Sequence, residues 1–146
     1  MSLTNLLYHI VFATKERAPL ITDDLRPHLH EYLGGTARGL GGIALEVGGV
    51  ADHVHLLVKI PPTIAVSKFL SQLKANSSGW AKRQTRGDFA WQGRYGAFTV
   101  SESQVERVRR YIRHQETHHR RVRFEDEFRA LLRAHRVEFD ENFPWD

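Results

Sequence analysis

The stretch GVADHVHLLVKI, residues 49–60, decides the fold and contains the first candidate functional residues. Its apolar and polar side chains alternate with a period of two, which predicts a β-strand. One face of that strand is apolar and consists of Val54, Leu56 and Val58. His53 and His55 project together to the other face, where two imidazoles can share a metal ion. Alternatively, one histidine is a satisfied polar residue on a half-exposed face and the other is coincidence, and the stretch alone leaves both interpretations open.

The segments around this strand predict one α+β domain. Residues 5–14 and 43–50 are rich in β-branched and apolar residues and read as strands, with the second forming a hairpin with the histidine strand near Gly48. Helical spacing is found over residues 22–40, 63–83 and 101–119, and an aromatic strand is expected within residues 88–101. The tail, residues 124–145, reads as a short helix and an extended end. The order β-α-β-β-α-β-α predicts an antiparallel sheet with helices mainly on one face, ferredoxin-like or RRM-like, over residues 1–146.

Composition narrows the classes of protein that the chain can belong to. Its 146 residues are enough for a real core, and 41% hydrophobic with 26% charged residues is typical of a globular domain. The absence of cysteine excludes disulfides, thiolate chemistry and cysteine-type zinc sites. No apolar run is long enough to cross a bilayer and the first residues lack a signal-peptide pattern, so we expect a cytoplasmic protein without a membrane partner. The net charge of +4, most of it from arginine, indicates a partner that carries phosphates.

A second candidate site lies in the helix VERVRRYIRHQETHHRR, residues 105–121. Tyr111 and Gln115 are four residues apart and therefore share one face of this helix. A phenol ionises near pH 10, so it is a poor nucleophile unless its anion is stabilised or its target is activated. Positive charge for that purpose is supplied nearby by Arg107, Arg109, Arg110 and Arg113. The segment alone slightly favours a rim tyrosine beside a solvated arginine face.

Taken together, these segments resemble the HUH superfamily, in which a His–hydrophobic–His strand and a helical tyrosine form a nickase for single-stranded DNA. The chain is most similar to the small single-tyrosine HUH transposases of insertion sequences, including domesticated relatives linked to repetitive extragenic palindromes. The matching stretches run in family order along nearly the whole chain: YHIVFATKERAPLI, GGVADHVHLLVKIPPT, LKANSSGWAKR, FAWQGRYGAFTVSESQ, YIRHQETHHR and VEFDENFPW. Both histidines, the tyrosine and the glutamine of the family pattern are present.

The resemblance implies a role for each of these residues. His53, His55 and Gln115 would be ligands of a divalent metal, Mg²⁺ or Mn²⁺, and Tyr111 would be the nucleophile. Two imidazoles and an amide oxygen form a softer site than magnesium prefers, so Mn²⁺ is expected to bind at least as well. The activity implied is the cutting and rejoining of single-stranded DNA beside hairpins through a 5′-phosphotyrosine. Family members are commonly homodimers that assemble each site in trans, with the tyrosine of one chain meeting the histidines of the other.

Further residues are candidates for contact with the DNA. Seven polar or basic side chains are expected to hold the backbone: Lys74, Asn76, Ser77, Lys82, Arg83, Arg107 and Arg110. Trp80, Trp91 and Tyr95 can stack on splayed bases, although for the two tryptophans a place in the core is the more common role. His118 and His119 are expected either to face DNA or to belong to a frayed helix end.

Two other functions are compatible with the sequence. One is a domesticated protein that nicks or binds hairpin DNA, which palindromes flanking the gene would help to distinguish from a mobile transposase. The other is a metal-dependent phosphodiesterase that forms no covalent intermediate and in which Tyr111 is structural. The sequence does not specify the hairpin, the target site or the metal used.

Overall fold

The computed structural model describes residues 2–140, and the last part of the predicted extended tail, residues 141–146, lies outside that range. It contains four strands and five α-helices, with short 3₁₀ turns at Lys15–Arg17 and Glu102–Gln104. The elements in chain order are β1 Leu7–Ala13, α1 Leu25–Gly39, β2 Ile43–Gly49, β3 His53–Lys59, α2 Val66–Gln84, β4 Gly96–Val100, α3 Val105–Arg113, α4 Gln115–His118 and α5 Phe124–Ala134.

The four strands form one sheet in the order β2-β3-β1-β4, and every neighbouring pair is antiparallel. The histidine strand β3 is therefore central and pairs with β1 on one side and β2 on the other. Its hairpin with β2 turns through residues 50–52, directly after Gly49. This order with its two crossover helices is the ferredoxin-like arrangement, and the predicted α+β class is confirmed.

One face of the sheet carries the main core. Val54, Leu56 and Val58 of β3 project to this face and are completely buried. The two long helices cover them with residues that include Leu29, Leu33, Phe69, Leu70 and Leu73. At the start of α1 the hydroxyl of Thr22 accepts a hydrogen bond from the Leu25 backbone N–H, as expected of a capping residue. This apolar layer fixes the register of β3, because a slip by one residue would turn its valines outward.

The other face of the sheet is covered by the shorter C-terminal helices. A second apolar cluster joins Val11, Ala13 and Phe98 of the sheet to Phe124 and Leu132 of α5. The sheet thus has the two long helices on one face and α3 to α5 on the other. His53 and His55 alternate with the core valines, so their side chains lie in this second layer.

Two glycines allow the C-terminal helices to approach the sheet closely. A Cβ at Gly48 of β2 would lie 2.3 Å from the backbone oxygen of Ile112 in α3. A Cβ at Gly96 of β4 would lie 2.5 Å from the ring of Phe128 in α5. Both distances are shorter than any real contact of a methyl group, so only glycine fits without a shift of the helix.

Within residues 2–140, no helix is both long and apolar enough to span a membrane. The assignment of residues 1–146 to one domain stays a prediction.

Candidate functional site

The two histidines of the stretch GVADHVHLLVKI lie at the start of β3, beneath the C-terminal helices. Both are completely buried, and their rings are 5.2 Å apart between centroids. A buried imidazole needs a partner for each ring nitrogen or loses hydrogen-bonding free energy. The partners of the four ring nitrogens therefore indicate which ligand or ion the two histidines can bind.

The Nδ1 atoms of both histidines have dedicated partners. His53 Nδ1 lies 2.8 Å from Asp52 Oδ1, in the residue just before it. His55 Nδ1 lies 2.8 Å from Nε2 of His9, which β1 places on the same face of the sheet. These contacts orient both rings so that their Nε2 atoms point toward the same space beneath α5. Such an outer contact on Nδ1 is typical of metal-binding histidines.

Tyr111 and Gln115 reach this space from the other side. Tyr111 is near the end of α3, and its ring lies 5.7 Å from that of His55 and 5.9 Å from that of His9. Gln115 begins α4 after a break at His114, and its Oε1 is 3.2 Å from His53 Nε2. All four residues predicted to form the site are thus brought together within one chain. The trans arrangement expected from the resemblance stays a prediction.

A carboxylate that the sequence did not single out stands at the centre of the site. Oε1 of Glu127, from α5, lies 3.0 Å from Nε2 of His55, 3.0 Å from Nε2 of His119 and 3.5 Å from Nε2 of His53. The other oxygen, Oε2, accepts hydrogen bonds from the Tyr111 hydroxyl and, at 2.9 Å, from Gln115 Nε2. The Glu127 carboxylate therefore bridges the imidazoles and the tyrosine.

Five residues of the site were missed or left undecided by sequence analysis: His9, Asp52, His118, His119 and Glu127. A signal for Glu127 was present, since it falls between Phe124 and Leu131 at helical spacing and so lies on the buried stripe of α5. An acidic residue on an apolar stripe is almost never buried without a partner. His119 was expected to face DNA or a frayed end, and its side chain is only 10% exposed.

The buried charges shift the pKa of several groups. Burial opposes the charged form of His53, but hydrogen bonds to Asp52 and Glu127 outweigh burial and raise the pKa of His53 to about 9. For His55 burial dominates and lowers its pKa to about 4, although Glu127 opposes the shift. Burial likewise lowers the pKa of His9 to about 3, with the neighbouring His55 acting in the same direction.

The tyrosine and the carboxylate shift in opposite directions. Burial and the negative charge of Glu127 raise the pKa of Tyr111 above its ordinary value. Burial would raise the pKa of Glu127 too, but hydrogen bonds from the surrounding imidazoles outweigh it and hold that pKa well below the usual range. The charged group in contact with the phenol is thus an anion, whereas the sequence predicted stabilisation of its phenolate by arginines. Arg109 and Arg113 instead contact Glu46 of β2, at 3.3 and 3.0 Å.

The donor atoms of the site fit a divalent metal ion. One donor atom from each of four residues lies within 4.8 Å of all the others: His53, His55, His119 and Glu127. Neutral imidazole nitrogens and a carboxylate oxygen are ligands of Mn²⁺, Fe²⁺, Co²⁺ and Zn²⁺. The predicted ligand Gln115 lies at the edge of the same group, in contact with both His53 and Glu127.

Tyr111 also lines a groove of about 750 Å³. The floor is apolar and includes Val100, Val108 and Leu131, and the rim carries Gln104 and Arg107. This size is in the range of small-molecule sites and admits a nucleotide. Arg107 and Arg110, both predicted to contact DNA, are exposed on α3 and precede Tyr111 in sequence.

The remaining predicted DNA contacts lie on α2, which packs against the opposite face of the sheet. Asn76, Lys82 and Arg83 are exposed there. The Lys74 ammonium donates to the backbone oxygens of Gln92 and Arg94, at 2.6 and 2.9 Å, and burial lowers the pKa of Lys74 to about 8.

Ser77 requires a correction, because its predicted contact with DNA is wrong in this structure. The side chain is completely buried. Its hydroxyl donates to the Leu73 backbone oxygen at 2.8 Å and accepts a hydrogen bond from Trp91 Nε1 at 2.9 Å. Ser77 therefore anchors Trp91, which packs edge-on against Phe12. Trp80 stacks on Tyr32. Both tryptophans therefore pack against other side chains of the protein, which is the second of the two roles considered for them, the first being stacking on DNA bases.

A four-stranded antiparallel sheet with a buried histidine pair, a helical tyrosine and a glutamine one turn later defines a nucleic-acid-processing domain of the HUH type. Residues 2–115 match the family described as "Transposase IS200 like". The transposase for insertion sequence element IS200 of Salmonella typhimurium is 33% identical over 118 residues, covering 76% of this chain and 77% of that protein. The chain therefore belongs to the IS200-like transposase family, and the resemblance found in the sequence is confirmed.

Solved structures agree with the fold. A protein of Deinococcus radiodurans R1, provisionally assigned as a transposase, superposes with a TM-score of 0.65 at 26% identity, over 78% of this chain and 93% of that one. A REP-associated tyrosine transposase bound to a REP hairpin superposes with a TM-score of 0.61 over 82% of this chain and 71% of that one. Its identity is only 13%, so it supports the fold alone.

Proposed function

We propose that this transposase cleaves and rejoins single-stranded DNA beside hairpins, with Tyr111 as the nucleophile and a divalent ion held by His53, His55 and Gln115. The observation that carries the proposal is the convergence of the Tyr111 hydroxyl and both histidines on one buried carboxylate, Glu127. A structural tyrosine would not need a hydroxyl bonded inside a cluster of potential metal ligands. The REP-associated tyrosine transposase that shares the fold was solved bound to a REP hairpin, which agrees with this class of substrate.

Each residue has a defined part in the reaction. The bound ion, Mn²⁺ or Mg²⁺, supplies Lewis-acid polarisation of a phosphate oxygen. Tyr111 Oη forms the new bond to phosphorus as the bond from phosphorus to the 3′ oxygen breaks in line with it. The departing 3′ oxygen takes up a proton from solvent and becomes a free 3′-OH, which balances the proton that Tyr111 gives up. The proton of Tyr111 already points at Glu127 Oε2, the acceptor that the site offers as Oη bonds to phosphorus. Arg107 at the rim of the groove is placed to pair with the phosphates of the strand.

The product of this step is a 5′-phosphotyrosine, in which one phosphodiester has replaced another. Because no phosphodiester is lost, a different 3′-OH can attack the phosphotyrosine, restore the Tyr111 hydroxyl and join two strands without ATP. A single strand is the natural substrate, since in-line attack needs a backbone free to turn its phosphate toward Oη. We further propose a homodimer, the assembly implied by the resemblance.

The test uses a pool of oligonucleotides in which a stable hairpin is followed by a randomised single strand, incubated with the protein and Mn²⁺. A label at the 3′ end should become attached to the protein, while a label at the 5′ end should appear on a shorter free strand. Tyr111→Phe should abolish both products. Tyr32→Phe is the matched control and should retain them, because Tyr32 packs on Trp80 away from the site.

The opposite result would identify a different enzyme. If the Tyr111→Phe protein still cuts the DNA and the wild type forms no covalent species, the protein is a metal-dependent phosphodiesterase. Size-exclusion chromatography with light scattering measures the assembly separately, and a monomer that is fully active would exclude sites assembled in trans.

A further inference from the structure

We propose that Glu127 and His119 are direct ligands of the metal ion, so that the centre contains three imidazoles and a carboxylate beside the Gln115 amide. The inference rests on the metal-dependent function proposed above and extends its ligand set. The roles that the family resemblance implies include neither residue, and Glu127 lies beyond residue 115, where the match to the family model ends. Their assignment as ligands therefore rests on the geometry of this chain.

The first step is the arrangement of the four donor atoms. Glu127 Oε1 has three imidazole nitrogens around it, at 3.0, 3.0 and 3.5 Å, which belong to His55, His119 and His53. Ligand bonds of about 2.0 to 2.2 Å place neighbouring donors around one ion roughly 3 Å apart. The observed separations are of that order, so an ion can enter the group with small rotations of side chains that already face one another.

The second step is the outer contacts of the histidines. His53 and His55 are both held through Nδ1, by Asp52 and His9, at 2.8 Å each. The Nε2 atoms are thereby left to face Glu127 and His119. Histidines that ligate a metal almost always have such a partner on the other ring nitrogen, so the two Nδ1 contacts orient the rings as a metal site requires.

The third step is charge. Glu127 is 3% exposed and is the carboxylate within this group, whose other members are imidazoles and the amide of Gln115. A buried carboxylate is stable only when it is paired or coordinates a metal. A divalent cation would pair with it and would gain the anionic ligand that the predicted set of two histidines and a glutamine lacks.

The ligand set has a consequence for the choice of metal. Magnesium prefers oxygen ligands and usually keeps several waters, whereas imidazole favours first-row transition metals. With three nitrogens and a single carboxylate, the centre should prefer Mn²⁺ or a similar ion to Mg²⁺. Glu127 would also couple the ion to the nucleophile, because its second oxygen holds the Tyr111 hydroxyl and the Gln115 amide.

Metal binding can be measured without DNA. Metal-stripped full-length protein is titrated with MnCl₂ by isothermal titration calorimetry and, in parallel, by the loss of the EPR signal of free Mn²⁺. Glu127→Gln and His119→Gln should each raise the Kd for Mn²⁺ by tenfold or more. Glu116→Gln makes the same change at an exposed carboxylate next to Gln115 and should leave the Kd unchanged.

The result that overturns the inference is a folded Glu127→Gln or His119→Gln protein that binds Mn²⁺ as tightly as the wild type, or more tightly. Circular dichroism establishes whether each variant is folded. If Glu127→Gln does not fold, Glu127→Asp and His119→Gln decide the question by the same measurement. A wild type whose Mn²⁺ binding depends on Glu127 but that forms no phosphotyrosine refutes only the proposed function. A wild type that forms the adduct with Mn²⁺ affinity independent of Glu127 refutes only this inference.

Discussion

Glu127 Oε1 lies 3.0 Å from His55 Nε2, although 72 residues separate the two along the chain. This contact joins the last helix to the central strand and closes the site from above. The fold makes it possible through Gly48 and Gly96, which let α3 and α5 approach the sheet where any other residue would hold them off. The tyrosine, the histidines and the carboxylate therefore depend on the same close packing of helix on strand.

We first predict that Asp52→Asn weakens metal binding without removing a ligand. Asp52 Oδ1 is 2.8 Å from His53 Nδ1 and fixes the orientation of that ring. Loss of such an outer contact typically costs about 10- to 100-fold in metal affinity. Calorimetric titration with MnCl₂ measures the change, and Asp23→Asn, at a carboxylate whose side chain is 93% exposed, is the control. An unchanged Kd for Asp52→Asn would mean that the ring is held by its packing alone.

Gly48→Ala is expected to destabilise the protein, and Gly35→Ala to stabilise it. The new methyl group at position 48 would meet the Ile112 backbone oxygen at 2.3 Å and displace α3, an overpacking that costs about 1 to 3 kcal/mol. At Gly35, inside α1, the added Cβ has nothing within 4 Å, so the gain of about 0.5 to 1 kcal/mol in helix stability should be realised. Urea unfolding of both variants measures the difference. Equal free energies of unfolding for the two would show that α3 can shift without cost.

The strands and the inward face of β3 were predictable from the sequence because both rest on local periodicity. Alternation placed His53 and His55 opposite Val54 and Leu56, and the structure has the same division. The i, i+4 spacing of Tyr111 and Gln115 likewise brought both side chains to Glu127, even though the helix breaks at His114 between them. The break does not change this, because Tyr111 and Gln115 are only about one helical turn apart, one on each side of His114.

The rest of the site depends on long-range packing that periodicity does not encode. His9 reaches His55 only because β1 pairs with β3 in a particular antiparallel register. Glu127 did not stand out in the sequence, because it is one of three acidic residues in the first turn of α5, where the helix dipole favours acidic residues. Helical spacing puts Glu127 on the buried stripe of α5, but the packing of α5 on the sheet decides that this stripe meets His53 and His55. Ser77, by contrast, lies four residues after Leu73 on the buried stripe of α2, so helical spacing already indicated that it turns inward, where it contacts Trp91.

DNA binding should depend more on α3 than on α2. Arg107 and Arg110 are exposed on the helix of Tyr111, whereas Lys82 and Arg83 are exposed on α2, across the sheet. Removal of one ion pair with a phosphate of a single strand lowers the slope of log K against log salt by about 0.7. We expect Arg107→Gln with Arg110→Gln to lower this slope, and Lys82→Gln with Arg83→Gln to lower it less. Fluorescence anisotropy with a single-stranded oligonucleotide over a salt series gives both slopes, and a larger effect of the α2 pair would place the strand on the other face.

Acid should destabilise the fold through His30, which is remote from the metal-binding cluster. His30 lies in α1, and burial, aided by the charge of Arg26, lowers its pKa to about 4 from an ordinary value of about 6.5. Among the described residues, His30 Nε2 has no hydrogen-bond partner. Between pH 6.5 and pH 4 the unfolded chain therefore binds more protons at this position than the folded one. The stability contributed by neutral His30 is complete above pH 6.5 and is lost as the pH falls toward 4.

The corresponding variant is His30→Leu, which removes both the titrating group and the unpaired nitrogen. In urea unfolding with EDTA present, wild type and variant should have similar free energies of unfolding at pH 7.5. At pH 5 the wild type should lose about 1 to 2 kcal/mol more than the variant, a value reduced for the part of His30 that water still reaches. Equal losses in the two proteins would assign the acid sensitivity to other groups. The EDTA excludes a contribution from metal release, because the ligands of the site also bind protons as the pH falls.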